Sequence, residues 1–391
     1  MTTVLVSGAV ANKHRQGGSI WVRTSWAEAL RAAGLDVVFV EQIDERDCVD
    51  AGGAAARLED SANLAAFTAA MDEFGLTGAL VCPGPDGGHE GARVCGALSL
   101  DELFARADGA ALLVNLGGHL RWEPLLRRLP ARVLVDLDPG FTQIWHAEGR
   151  DIGVAAHDLH FTVGLNVGTP RCALPTGGLH WRAIRQPVAL QRWTAAPGDA
   201  LGRFTTVASW RGAYGPASWA GRGYGVKAHE FRRFMAVSDE VRDAHFEVAL
   251  DIHPGDRADI ERLRAHGWKL SDPGVLAATS AFRRYVRTSG AEFSPAQNIY
   301  VDTHSGWFSD RTVRYLACGR PALVQDTGFS EHLPTGEGLL AFTTLDEAVA
   351  GARELLSDYP RHRAAARRIA AEHFAGTSAI APLLHAAGLA P

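Results

Sequence analysis

The sequence predicts an α/β protein made of two parallel-sheet domains that face each other across a cleft. Three observations predict it. At 391 residues the chain is long for one hydrophobic core, and chains of this size usually divide into domains. Short apolar runs alternate with stretches of helical spacing in both halves, the pattern of strands buried on both faces by helices. Between the two series, residues 182–202 contain Pro187, Pro197 and Gly198 with weak periodicity and read as an interdomain linker. The expected division is 1–190, 191–375, and a tail, 376–391, that is helical and packs back on the first domain.

The elements follow in order. Residues 4–10 are an apolar strand, 11–19 a loop containing Gly17-Gly18, and 20–33 a helix with Ile20, Trp21, Thr24, Ala27, Leu30 and Arg31 near one side. Gly34 stops that helix and 35–40 form a second strand, completing a βαβ unit. Further strands are expected at 79–82, 110–116, 132–136 and 159–163. Three of them run into turns: the Pro/Gly-rich 83–88, Gly117-Gly118-His119, and Asp138-Pro139-Gly140. The second series starts with a strand at 204–209, then one at 246–252 followed by a helix to about residue 266. Weaker strands are expected at 285–287 and 298–301, then a helix ended by Gly319 and a strand at 321–325. Residues 345–356 and 359–374 are Ala/Arg-rich helices. In such sheets the functional loops lie at the carboxyl ends of the strands.

Composition narrows the function. Apolar residues make up 47% and charged residues 21%, values of an ordinary globular protein. The net charge of −5 is spread along the chain, and no basic block suggests nucleic acid or anionic lipid. The apolar runs are too short to span a bilayer. The chain enters a strand at Val4-Leu5-Val6 without a basic leader, so a cytoplasmic protein is expected. Cys48, Cys82, Cys95, Cys172 and Cys318 are scattered and odd in number, which suits reduced thiols better than disulfides or zinc. No metal or cofactor is expected: His157 and His160 lack a third ligand, and Gly17-Gly18 lacks the full dinucleotide fingerprint.

The most informative stretch is Thr303-His304-Ser305-Gly306-Trp307-Phe308-Ser309-Asp310-Arg311, followed by Ala317-Cys318-Gly319-Arg320-Pro321. A polar loop at a helix N-terminus with a His, serines, an Arg and backbone N–H groups suits an anionic diphosphate. Ser309 reads equally as an N-cap, which uses the same donors. The 317–321 run resembles the Ala-Cys-Gly-Xaa-Pro of retaining GT-B glycosyltransferases that include glycogen synthase, and Phe308-Ser309 resembles their Phe-Gly. The opening also resembles theirs, through Gly17-Gly18 and the helix running into Ala32-Ala33-Gly34-Leu35. Both glutamates of that group's E-x7-E motif are replaced, by Gly306 and Arg314. The His304–Ser309 run is instead similar to the His-Cys-Gly-Trp-Asn-Ser of inverting plant-type enzymes.

The resemblance implies two Rossmann-like domains, a nucleoside-diphosphate sugar as co-substrate, and glycosyl transfer without a bound metal. It places Ser209, Trp210, Arg211 and Lys227 on the donor diphosphate, where an Arg fork and a Lys offset developing charge. Gly17, Gly18, Glu292, His304, Ser305, Gly306, Trp307, Ser309 and Arg311 are further donor-side candidates. Glu292 is expected in a loop, bonding sugar or ribose hydroxyls, and Trp210 and Trp307 as stacking surfaces. The base that deprotonates the acceptor is expected from the first half: His119 at a strand end, then His14, then Asp138. Two other functions compete: a nucleotide-sugar epimerase of the same fold, and an inactive GT-B-like partner that binds without turnover.

Overall fold

The computed structural model describes residues 1–198 and 200–389. The first half builds an eight-stranded sheet from β1 (Thr3–Ser7), β2 (Asp36–Gln42), β3 (Thr77–Cys82), β4 (Arg93–Gly96), β5 (Ala110–Leu116), β6 (Arg132–Asp136), β7 (Leu159–Thr162) and β8 (Trp181–Ala183). Their order is β4-β3-β2-β1-β5-β6-β7-β8. All pairings are parallel except β3 with β4. β1 is central, and Val4, Leu5 and Val6 are fully buried, as a strand covered on both faces requires.

The second half contains β9 (Arg203–Ser209), β10 (Ala217–Trp219), β11 (Arg222–Tyr224), β12 (His245–Asp251), β13 (Lys269–Ser271), β14 (Ala291–Ser294), β15 (Ala322–Gln325) and β16 (Leu339–Phe342). Six of these form a wholly parallel sheet in the order β13-β12-β9-β14-β15-β16, while β10 and β11 make a separate antiparallel hairpin. In both sheets the first strand in sequence lies inside, so strand order reverses beside β1 and beside β9. That reversal opens a crevice at the carboxyl ends.

Several local expectations are corrected. Residues 285–287 lie in the helix Thr279–Thr288. Its buried Thr279, Phe282 and Val286 have helical spacing, which a three-residue window cannot reveal. Residues 298–301 belong to the short helix Asn298–Asp302, and the strand lies just before it, as β14. The linker expected from residue 182 begins inside β8.

The halves are joined by apolar packing as well as by the chain. Trp21 on the helix Gly17–Ala32 meets Trp193 and Phe74 at 4.8 and 4.9 Å between ring centroids, and its Nε1 donates to Thr279 O at 3.0 Å across the interface. The last helix, Gly376–Ala386, packs on Gly17–Ala32. At Gly376 an added Cβ would lie 3.2 Å from Ala29 Cβ, so the two helices approach closely there.

Candidate active site

Two cavities lie side by side between the domains. The first, about 350 Å³, is bounded on one side by Arg15, Gln16, Gly17, Gly18 and Ser19. Opposite are Val207, Ala208 and Ser209 at the end of β9, Asp251 at the end of β12, and the segment Pro273–Leu276. The second, about 300 Å³, shares Gln16 and Ser19 and extends to Lys13, Arg23, His119, Asp136, Asp138, Trp145 and Tyr214.

The first cavity exists because the helix Gly17–Ala32 starts at the cleft. No side chain caps it, and the first N–H groups of a helix have no partner within it. An added Cβ at Gly17 would come within 2.5 Å of Ala278 O, and one at Gly18 within 2.8 Å of Phe282. The two glycines therefore let the helix end meet the second domain. The preceding loop is held by Glu41 on β2, whose carboxylate accepts from the amides of Val10, Ala11 and Asn12 at 2.6–2.9 Å. Burial pushes Glu41 up to about 7 against those donors. Sequence reasoning missed this residue, because its partners lie some thirty positions away.

Behind the first cavity, at the ends of β9 and β14, lies a buried charged cluster. Arg311 donates through Nε to Glu292 Oε1 at 2.6 Å, through Nη1 to Val207 O at 2.7 Å and through Nη2 to Ser294 Oγ at 2.6 Å. Glu292 sits in β14, fully buried, and is the counter-ion of Arg311; it is not the loop acid expected from sequence. Its Oε2 has no partner. Lys227 begins the helix Lys227–Arg232 and is buried, with Nζ donating to Pro295 O at 2.5 Å. Burial and then the nearby Arg311 pull its ammonium down to about 7.

The remaining donor-side candidates fall in different places. Ser209 lines the first cavity and donates to Asp251 Oδ2 at 3.1 Å. Trp210 is not a stacking surface: it is 1% exposed, its Nε1 donates to Asp259 at 2.8 Å, and it packs on Phe231. Arg211 is exposed and paired with Asp256, its Nε 3.0 Å from Oδ2.

The 303–309 loop is docked on the first domain, and several of the N–H groups expected to be free are occupied. Gly306 N donates to Thr327 O at 2.7 Å and Ser305 N to Tyr300 O at 3.1 Å. Asn166 N donates to Ser305 O at 3.0 Å and Leu165 N to Gly306 O at 3.4 Å, an antiparallel bridge between the domains. Gly306 has φ +72°, and an added Cβ would lie 2.8 Å from Asn166 N. His304, with φ +52°, pairs its Nε2 with Glu331 at 3.1 Å. Trp307 stacks on Tyr300, 4.4 Å between centroids. Ser309 caps the helix Asp310–Ala317, accepting from Arg311 N at 3.3 Å.

Of the three base candidates, the structure brings two into the second cavity. His119 and Asp138 line it; His14 lines neither cavity, and its ring faces Ala11 O and Asn63. Burial, then Arg23 and Lys13, push His119 down to about 4, so it is neutral near pH 7. Asp138 is raised, by burial first and then by Asp136, with Arg23 opposing. It accepts from Tyr300 Oη of the other domain at 3.3 Å. Asp136 is fully engaged by Thr142 Oγ1, Gln143 Nε2, Thr162 Oγ1 and the amide of Asp138. Among the described residues, no group of three His, Cys, Asp or Glu side chains is placed to hold a metal ion. Among them too, no helix is long and apolar enough to cross a membrane.

No protein-family model and no curated protein sequence matches the chain. Solved structures do. An alpha-glucosyltransferase in complex with UDP-glucose and DNA containing an abasic site is similar at a TM-score of 0.61 and 10% identity, over 99% of both chains. Anabaena Alr3699/HepE in complex with UDP is similar at 0.58 and 12% identity, over 99% of this chain and 100% of that one. A glycosyltransferase from Rickettsia africae follows at 0.52 and 10%, over 99% and 97%. Similarity along the whole of each chain, together with two sheets whose strand order reverses at a shared cleft, shows that this chain has the GT-B fold.

Proposed function

We propose that the protein transfers a glycosyl group from a nucleoside-diphosphate sugar to a hydroxyl of an acceptor bound in the second cavity. One observation carries the reading: an uncapped N-terminus of a 16-residue helix faces the carboxyl ends of β9 and β12 across a cavity of about 350 Å³. The unpaired N–H groups and the positive end of the helix dipole suit a diphosphate. Lys227, held near neutrality by burial, gains a counter-charge when a diphosphate approaches, and Arg211 reaches the same ligand by leaving Asp256. Together they stabilise the charge that grows on the leaving group. Two of the similar structures hold UDP or UDP-glucose, which favours a uridine donor.

The base we assign is Asp138 ahead of His119, reversing the order expected from sequence. A raised carboxyl is a stronger base than an ordinary one when it is ionised, and burial with Asp136 beside it raises Asp138. A histidine pushed down to about 4 is a weak base, better suited to hydrogen-bonding a substrate hydroxyl. The residues themselves supply what the reaction needs. Cations and a helix end meet the phosphates, Asp138 takes the acceptor proton, and the docked 303–307 loop helps close the cleft to water.

The test is a thermal-shift series with UDP, GDP and ADP on the full chain. At a hundredfold excess over Kd, the bound nucleotide adds about 2.7 kcal/mol of apparent stability. UDP should raise the melting temperature most. If no nucleoside diphosphate shifts it at millimolar concentration, the donor assignment fails. An inactive partner would bind UDP but give no transfer and no slow donor hydrolysis.

A further inference from the structure

The second cavity has one wall that donor chemistry leaves unused. Lys13 and Arg23 both line it. Among the described residues neither makes an ion pair within 4.0 Å, unlike Arg106, Arg192, Arg232, Arg311 and Arg314, each paired with a carboxylate. Among the described residues Arg23 hydrogen-bonds through Nη1 alone, donating to Ser19 O and Oγ at 3.3 and 2.8 Å. Its Nε is buried without a partner. The nearby carboxylates do not supply the missing contact. Asp136 is occupied by four donors. Glu41 is taken by three backbone amides, and Asp310 is paired with Arg314 at 2.9 Å. Only Asp138 acts on both cations, and it does so through space. Two partly buried cations facing a cavity without a bonded counter-ion, one of them with a buried unpartnered Nε, form an arrangement that a bound anion relieves.

The same cavity is also lined by an aromatic cluster. Phe141, Trp145 and Tyr214 pack on one another with centroids 4.9–5.6 Å apart. Tyr214 comes from the second domain, three residues after Arg211, and is 50% exposed. Rings of this kind present flat apolar faces to the C–H face of a sugar or cyclic polyol while leaving its hydroxyls free.

We propose that the second cavity receives a hydroxylated ring compound carrying one carboxylate or phosphate group, its ring against Trp145 and Tyr214 and its anion on Lys13 and Arg23. This rests on the reading of that cavity as the acceptor site. Seated so, the acceptor presents a hydroxyl to Asp138 and His119. Lys13 and Arg23 then select the acceptor and take no part in holding the donor.

The experiment is saturation-transfer NMR on the full chain, with and without UDP. The probes are glucose and galactose, their uronates, and their 6-phosphates. At least one charged sugar should bind tenfold or more tightly than its neutral parent; the uronate and phosphate arms tell which anion is preferred. Lys13→Gln and Arg23→Gln should each abolish that preference, and Lys13→Gln should leave the UDP-induced rise in melting temperature unchanged; Arg23 also holds Ser19 of the first cavity, so the UDP control rests on Lys13→Gln. Tyr214→Ala should weaken charged and neutral sugars alike. Lys13 ends the one-turn 3-10 helix Ala11–Lys13 and is only partly buried, so Lys13→Gln keeps the test open if Arg23→Gln fails to fold. Equal binding of charged and neutral sugars, or no binding of any, overturns the proposal. So does loss of the UDP response in Lys13→Gln, which would assign the cations to the donor. Failure of UDP to shift the parent protein is a separate result that tells against the donor site alone.

Discussion

Tyr300 Oη lies 3.3 Å from Asp138 Oδ1, a hydrogen bond that reaches from the second domain to the end of β6 in the first. The same ring stacks on Trp307 in the docked loop. Donor-side loop and candidate base are thus connected through one side chain. Burial holds the Tyr300 phenol well above its ordinary range, so it stays a proton donor to Asp138. The second domain thus bonds directly to the candidate base.

Asp138→Asn should lower transfer by about 10²–10⁴, the usual loss for a general base, and leave UDP binding intact by calorimetry. Because Asp138 must be ionised to accept a proton, activity should fall as pH drops, with the midpoint above the ordinary Asp value since its carboxyl is raised. Tyr300→Phe removes a donor that favours the ionised form and should move that midpoint higher still. Full transfer activity in Asp138→Asn would return the role to His119.

How much of this was legible in the sequence depends on the range of the interaction that fixes each part. Strand ends and helix stops are local, so the βαβ opening, Gly34 and the turns after β5 and β6 could be read directly. Strands of three or four residues, such as β8, β13 and β14, show too little alternation to be seen. Side-chain direction was the harder part. Trp210 follows a strand end, as a stacking residue would, yet it turns inward because Asp259, 49 positions on, accepts its N–H. Glu292 looked like a loop acid because Arg311, its partner 19 positions later, gives no local sign of the pairing. Arg23 was not singled out at all, because the cavity it lines is assembled from segments as far apart in sequence as Lys13 and Tyr214.

Lys227 should link diphosphate binding to proton uptake. Its folded-state value is about 7 against an ordinary 10.5, so between these values the unfolded chain binds the proton that the folded chain gives up. Stability from this group is therefore lowest below pH 7 and grows as pH rises towards 10.5. Lys227→Met should raise the melting temperature near pH 7, and its advantage should shrink at alkaline pH. UDP favours the ammonium, so titrations at pH 8 in buffers of different ionisation enthalpy should report proton uptake by the parent and none by Lys227→Met. Equal uptake in both would remove Lys227 from the donor site.

Arg211 is solvent-exposed in its pair with Asp256, and solvent screening leaves such a pair little net stability. A diphosphate competes for the guanidinium on good terms, since a hydrogen bond to a charged group contributes about 1.5–3 kcal/mol. Arg211→Ala should therefore weaken UDP by roughly ten- to a hundredfold. Asp256→Asn, which frees the Arg, should tighten UDP by up to about fivefold. If neither variant changes the Kd, the pair is a surface feature and Lys227 with the helix end carries the diphosphate without it.

Gly319 should resist substitution for a reason of backbone geometry. It ends the helix Asp310–Ala317 with φ +64°. Arg320 N donates to Tyr315 O at 2.9 Å and Gly319 N to Leu316 O at 2.9 Å, the paired bonds of a Schellman stop. That stop turns the chain directly into β15, whose neighbour β14 carries Glu292 and Ser294, two of the three groups that bond the Arg311 guanidinium. An added Cβ would lie 3.4 Å from Arg363 O, so collision is minor and the cost is the left-handed conformation, about 1–2 kcal/mol for a residue with a Cβ. Gly319→Val should lower the melting temperature by roughly 2–8 °C, and Gly319→Asn by less, because Asn tolerates this region. Helix and strand both register through this one residue, so the Val variant should also weaken UDP binding through a displaced Arg311. A melting temperature equal to that of the parent in Gly319→Val would mean that the helix can end without a left-handed residue.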